Sequence, residues 1–185
     1  PGLKVVVPST PYDAKGLLLA AIADPDPVVF CEPIRLYRAV KEDVPEGWYE
    51  VPIGEARVER EGNDLTLLSW GAMMMETRKA AVRLAEDGVS AEVIDIRSLV
   101  PFDAATVVAS VEKTGRAVIV HEAPRTAGFG AEVAATIAEH CLYSLEAPIE
   151  RVTGWDSVFP LKRSEHQYMP SVERIVAAAR QTLEA

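Results

Sequence analysis

With 185 residues, 49% of them apolar and 25% charged, the chain has the composition of a globular protein and the length for one ordinary domain plus a piece of another. It has no apolar run near the roughly 20 residues that cross a bilayer and no charged-then-apolar leader, so membrane-spanning and secreted readings are set aside. A net charge of −9 argues against nucleic acid, which needs clustered Lys and Arg; it suits a basic protein partner, or simply keeps the surface soluble.

The chain opens on Pro1-Gly2-Leu3 without Met, as a fragment or a processed chain would. Lys4 to Val7 reads as a short apolar strand closed by Pro8. Thr10 is placed to N-cap a helix with Pro11 at its first position, and Leu17, Leu18, Ala21 and Ile22 recur at helical spacing. The helix must stop at Asp24-Pro25-Asp26-Pro27, and Val28 to Cys31 reads as a second buried strand. Strand, helix, strand with short loops implies a parallel crossover, the terminal unit of a larger α/β sheet. One such unit cannot bury both faces of its strands.

From Glu32 to Pro52 the composition turns polar and irregular, with Pro33, Pro45, Gly47 and Pro52, as an interdomain linker does. Beyond it, Ala56 to Glu59 and Leu65 to Trp70 flank the turn Glu61 to Asp64 and are expected to pair as an antiparallel hairpin. Helices over Met75 to Glu86, Asp103 to Lys113 and Gly130 to Tyr143, and one from Ser171 to Leu183, alternate with strands at Ala91 to Ile96, Arg116 to His121 and Ile149 to Thr153. That rhythm predicts a mostly parallel sheet covered on both faces, a three-layer α/β/α domain. The expected boundaries are 1–33 for the edge unit, 34–54 for the linker and 55–185 for the second domain.

Ligands in parallel sheets sit at the carboxyl ends of strands, and two such ends stand out. His121, followed by Glu122, could act as an acid or base, but no Ser, Cys or Asp nearby completes a nucleophilic set, and a structural role is the better reading. Gly128-Phe129-Gly130 could hold an anion at a helix start. It lacks the third glycine of a dinucleotide fingerprint, and a tight turn with positive backbone angles fits it better. Met73-Met74-Met75 reads as core filling, and His140 and His166 lack partners at zinc-ligand spacing. Cys31 and Cys141 are too few for a disulfide framework and point to a reducing cytoplasm. The loop at Asp24 and Asp26 joins free helix-end carbonyls to two carboxylates, an oxygen-only set suited to a hard cation, or else a solvated turn.

Pro1-Gly2-Leu3-Lys4-Val5-Val6-Val7-Pro8-Ser9, Asp13-Ala14-Lys15-Gly16-Leu17-Leu18 and Asp26-Pro27-Val28-Val29-Phe30 resemble the end of the pyrimidine-binding domain in beta subunits of the thiamine-diphosphate-dependent 2-oxo acid dehydrogenases. Glu92-Val93-Ile94-Asp95-Ile96-Arg97, His121-Glu122-Ala123-Pro124, Gly128-Phe129-Gly130-Ala131-Glu132 and Glu146-Ala147-Pro148-Ile149 resemble that family's transketolase-like C-terminal domain. The resemblance is collinear over essentially the whole chain. It implies an α2β2 heterotetramer with an alpha subunit and a second beta subunit, and thiamine diphosphate with magnesium held between subunit types. The glutamate and histidine that the beta subunit contributes to the reaction fall ahead of Pro1 in the family, so no catalytic or cofactor-binding residue is assigned here. It also implies a structural potassium ion at Ala21, Ile22, Asp24 and Asp26, where family members often carry Asn in place of Asp26. The C-terminal domain would help beta subunits associate and dock the basic peripheral subunit-binding domain of the lipoyl acyltransferase, as the acidic balance allows. Glu32-Pro33, Leu36-Tyr37-Arg38-Ala39 and Val44-Pro45 are closer to the branched-chain enzymes than to the pyruvate enzymes, so a branched-chain 2-oxo acid is the expected substrate. A pyruvate dehydrogenase beta subunit and a non-catalytic flavodoxin-like binding module are the alternatives.

Overall fold

A computed structural model describes residues 2–185. In chain order the elements are β1 (Lys4–Val6), α1 (Pro11–Ala23), β2 (Val28–Phe30), a 3-10 turn (Ile34–Leu36), β3 (Arg57–Arg60), β4 (Leu65–Ser69), α2 (Met73–Glu86) and β5 (Ala91–Asp95). They continue as β6 (Ser98–Val100), α3 (Ala104–Thr114), β7 (Ala117–Pro124), α4 (Gly130–Cys141), β8 (Glu150–Gly154), α5 (Glu165–Tyr168) and α6 (Val172–Leu183).

The helix starts are those the sequence dictates. Thr10, Asp103 and Ser171 each accept a hydrogen bond from the amide three residues on, which satisfies one of the free donors of α1, α3 and α6. Gly115, at φ 69°, takes the left-handed position that closes α3.

The strands form two sheets, β2-β1-β6 and β3-β5-β4-β7-β8. β1 and β2 are parallel, with Lys4 opposite Val28, as the crossover requires. In the larger sheet β5, β4, β7 and β8 run parallel, and β3 is antiparallel at the edge.

The expected hairpin is not formed. β5 lies between β3 and β4, and all five residues of β4 are buried, so β4 is an inner strand needing a parallel neighbour on each side. The connection rides over the start of β5, where the amides of Asn63 and Asp64 both bond the Ser90 carbonyl. Any side chain at Gly62 would strike the Ala91–Glu92 peptide there, so glycine is needed for that close passage.

The larger sheet is covered on both faces. Met73, Met74, Ala81 and Leu84 of α2 and Ile175 and Ala179 of α6 pack on Leu65, Leu67, Val93 and Val118. Val107 and Val111 of α3 and Val133 and Ile137 of α4 pack on Leu68, Ile94 and Ile119. Neighbours Val93 and Ile94 thus enter opposite cores, as strand pleating demands.

The edge unit has a smaller core of Val6, Leu17 and Val51, and linker residues Tyr49 and Ile53 help close it. The linker is therefore packed, with Val51 against the bare Cα of Gly16. The sequence did not signal β6, which leaves the second domain to pair antiparallel with β1 and ties the two units together. On its other side the edge unit stays open: Leu18 is 41% and Ile22 66% exposed on α1, and Val29 of β2 is 42% exposed. No helix among the described residues is long and apolar enough to cross a membrane.

Candidate functional site

Three places gather chemistry. The first is the seam between the two units. Asp13 of α1 is fully buried and meets the guanidinium groups of Arg57 and Arg97, each at 3.1 Å. Asp95, at the carboxyl end of β5, is also fully buried; it accepts a hydrogen bond from Ser9 and another from the Arg97 amide at 3.2 Å. Arg78 reaches Glu59 and Ser9 at 2.7 and 2.8 Å, and Arg57 also contacts Glu59. Three carboxylates thus face three guanidinium groups, and all the pairs but Arg57–Glu59, which lies within β3, join different elements.

Burial pushes the Asp95 carboxyl up to about 7, against the Ser9 hydrogen bond, and Asp13 and Glu59 add to the push. Burial works in the same sense on Glu59, but Arg78 and Arg57 outweigh it and hold that carboxyl below the usual range. An open cavity of about 580 Å³, lined by Thr10, Arg57, Glu59 and Arg78 among others, leads to this cluster. Nothing in the sequence flagged Asp13, Arg57 or Arg78. Only Asp95 and Arg97 carried a signal, as charged residues that close an apolar strand.

The second place is the end of α1. Ala21 and Ile22 sit in its last turn, and Asp24 caps it through its amide to Ala20 at 3.0 Å. Pro25 occupies the position from which an amide would otherwise reach the Ala21 carbonyl, so that oxygen cannot be satisfied in the usual helical way. Asp24 and Asp26 are brought together as expected, but onto Lys4: its ammonium lies 2.7 Å from Asp24 and 3.2 Å from Asp26. The hydrogen bond to Asp24 holds the Lys4 ammonium above its ordinary pKa, and the same bond holds the Asp24 carboxyl below its own. Lys4 is a participant that sequence reasoning missed, because it lies on β1, 20 residues away in the chain. Among the described residues no group of three or more His, Cys, Asp or Glu converges as a metal cluster.

The third is the carboxyl end of β7. His121 is 1% exposed, stacks on Trp70 with ring centroids 5.3 Å apart, and has no hydrogen-bond partner at either ring nitrogen. Burial lowers it to about 4, and Arg151 adds to the effect, so the ring is neutral at physiological pH. Gly128 and Gly130 explain how it fits. A side chain at Gly128 would come within 2.6 Å of His121 Cε1, and one at Gly130 would overlap the ring at Nε2 and Cδ2. The expectation of positive backbone angles at these glycines is corrected, since the left-handed residue is Ala127, at φ 60°. The glycines are there for close approach. The tight packing of His121 supports the structural reading.

The crevice where strand order reverses, between β4 and β7, would be the place for a nucleotide. The chain itself fills it: Gly71, at the end of β4, lies against Val7 and Pro33. That arrangement disfavours the flavodoxin-like module.

A parallel sheet layered between helices, seated on the last β-α-β unit of another domain, defines a transketolase-type C-terminal module. Residues 54–175 match the transketolase C-terminal domain family, and residues 1–40 match the transketolase pyrimidine-binding domain family. The chain belongs to the transketolase C-terminal domain family, preceded by the end of a transketolase pyrimidine-binding domain. The pyruvate dehydrogenase E1 component subunit beta of Staphylococcus epidermidis is 55% identical over 184 residues, and that of Staphylococcus aureus is 52% identical. Both alignments take in 100% of this chain, which spans 57% of the length of those relatives. A split-gene transketolase, solved as an inactive beta4 tetramer, superposes with a TM-score of 0.80 at 25% identity, over 100% of this chain and 58% of that one.

The expected branched-chain substrate finds no support beside these pyruvate-type relatives. The linker residues behind it have structural employment here: Leu36 packs on the second domain, and Tyr37 bonds Glu32.

Proposed function

We propose that the chain is the C-terminal part of the beta subunit of a thiamine-diphosphate-dependent pyruvate dehydrogenase, acting in the cytoplasm in an α2β2 heterotetramer with an alpha subunit and a second beta subunit. The observation that carries this reading is 55% identity, sustained from end to end, to a pyruvate dehydrogenase E1 beta subunit. Thiamine diphosphate with magnesium supplies a carbon nucleophile and an electron sink when bound. This chain's own part is to fix the edge of the pyrimidine-binding unit, through the ionic seam, against the domain that meets partner subunits. We assign residues 1–33, 34–54 and 55–185 to edge unit, linker and C-terminal domain. The acidic balance suits docking of a basic peripheral domain of the lipoyl acyltransferase, with affinity that falls as salt rises.

The test is competition between substrates. The full-length beta chain, co-expressed with its alpha subunit, is assayed on pyruvate and on 3-methyl-2-oxobutanoate. A kcat/KM favouring pyruvate by about tenfold or more is expected, the scale on which a pocket resolves small apolar groups. Equal or reversed values contradict the pyruvate assignment.

A potassium ion at Ala21, Ile22, Asp24 and Asp26 belongs to the same reading. The Ala21 oxygen lacks its helical partner, and two carboxylates against one ammonium leave a single negative charge, which suits a monovalent cation better than a divalent one. Potassium then raises the melting temperature of the full-length beta chain more than equimolar sodium does, and Asp24→Ala abolishes the difference.

A further inference from the structure

The second domain grips the chain just past β1 at several points. The Val7 amide donates to the Arg97 carbonyl at 2.8 Å. The Ser9 hydroxyl, fully buried, accepts from Arg78 at 2.8 Å and donates to Asp95. Arg97 itself is held by Asp13 and the Glu55 carbonyl through its guanidinium, and by Asp95 through its amide at 3.2 Å. These bonds keep it in the left-handed region, at φ 55°, a conformation that costs a non-glycine residue energy and persists only where its surroundings impose it. The grip is closed against backbone strain.

Charged groups face Asp95 from each element around it: Asp13 from α1, Arg57 and Glu59 from β3, Arg78 from α2, and Arg97 just beyond β5 itself. Asp13 already engages Arg57 and Arg97, and Glu59 engages Arg78. Among the described residues, an ionised Asp95 would have only Arg57 within ion-pair distance, at 3.8 Å. Burial and the two neighbouring carboxylates oppose that charge more strongly than the Ser9 bond and Arg57 support it. Opening the seam hands the carboxylate to water, so ionisation favours the open form. The cavity of about 580 Å³ beside Thr10, Arg57, Glu59 and Arg78 gives water and protons a way in.

We propose that the seam is a proton-closed latch between the two units, holding the carboxyl end of β1 to the second domain while Asp95 keeps a proton and releasing it more readily once Asp95 ionises. The folded carboxyl keeps its proton to higher pH than a solvated one. Closure is therefore firmest in acid, and its proton-linked part is gone above about pH 7. The latch concerns a contact within this chain and stands apart from the choice of substrate.

Amide hydrogen exchange in the full-length beta chain with its alpha subunit, corrected for intrinsic base catalysis, reads the latch at the Val7 amide. The Thr66 amide, bonded to the Arg116 carbonyl inside the larger sheet at 2.8 Å, reports global opening. Val7 protection is expected to fall by up to about tenfold per pH unit from pH 5 to 6.5 and to level off above 7. Thr66 stays nearly flat over that range, because global unfolding also exposes His121, whose response has the opposite sign. Asp95→Asn, which stays neutral, abolishes the Val7 slope and keeps protection at the wild-type level of pH 5. Ser9→Ala lowers Val7 protection about fivefold at every pH and leaves Thr66 unchanged. Val7 protection that ignores pH in wild type, or keeps its slope in Asp95→Asn, overturns the latch. So does a Ser9→Ala protein that protects Val7 as well as wild type does. Val7 and Thr66 losing protection in parallel assigns the effect to the whole fold and overturns it too. The measurement needs no substrate, so the pyruvate assignment can fail without touching it.

Discussion

His121 and its two glycines show how far one residue's chemistry depends on its walls. A histidine at a strand end suggests acid–base work, but this ring is stacked on Trp70, closed in by Gly128 and Gly130, and neutral. Gly130→Ala should cost about 1–3 kcal/mol in chemical denaturation, the usual penalty of overpacking. In His121→Ala/Gly130→Ala the added methyl has room, so the double variant should lose less than the sum of the two single changes. Additive losses would mean that the glycine serves the backbone and not the ring. The sequence showed the histidine and both glycines, yet their contact was not legible, because it depends on how a loop folds back over a strand end. The carbonyl left free by Pro25 was legible, since it follows from local chain geometry alone, whereas Lys4 was not, because it reaches the loop from another strand.

At the scale of elements, caps and periodicity located nearly every helix, because those signals are local. The lost hairpin and the unforeseen β6 have a common cause: strand pairing is decided by burial and by distant neighbours. β4 is buried along its whole length, and β6 exists because β1 has an open side. The seam joins these elements through charge. Asp13→Ala would leave Arg57 and Arg97 facing each other without their shared carboxylate, and about 3–5 kcal/mol of stability should be lost.

Asp95 and His121 give the fold opposed pH responses. Asp95 binds a proton in the native state up to about pH 7, but only up to about 3.9 when unfolded, so its contribution to stability is complete below that lower value and is lost as pH rises through 7. His121 is protonated when unfolded below about 6.5 but in the native state only below about 4, so acid destabilises the fold through it across that window. The two slopes oppose each other between about pH 4 and 6.5. Asp95→Asn should therefore leave a stability that climbs with pH over this range more steeply than wild type, by up to about 1.4 kcal/mol per pH unit. Urea denaturation at pH 5 and 6 measures it, and parallel profiles for variant and wild type would show that Asp95 is ionised in the fold.

As a whole molecule, the chain is a three-layer α/β/α domain joined to a smaller β-α-β unit. The larger sheet is covered on both faces, but the small sheet leaves the apolar side of α1 bare. The partners proposed for it rest on resemblance, since acidic balance alone does not specify them. The branched-chain expectation finds no support beside the pyruvate-type relatives, and of the residues it rested on Leu36 packs onto the second domain.

In the function proposed above, the thiamine site of the beta subunit is completed only by an alpha subunit. Calorimetric titration of thiamine diphosphate with magnesium, into the full-length beta chain alone and then into its complex with the alpha subunit, tests it most directly. The beta chain alone is expected to show no saturable binding, and the complex tight, stoichiometric binding. Saturable binding by the beta chain alone, or none by the complex, would contradict it.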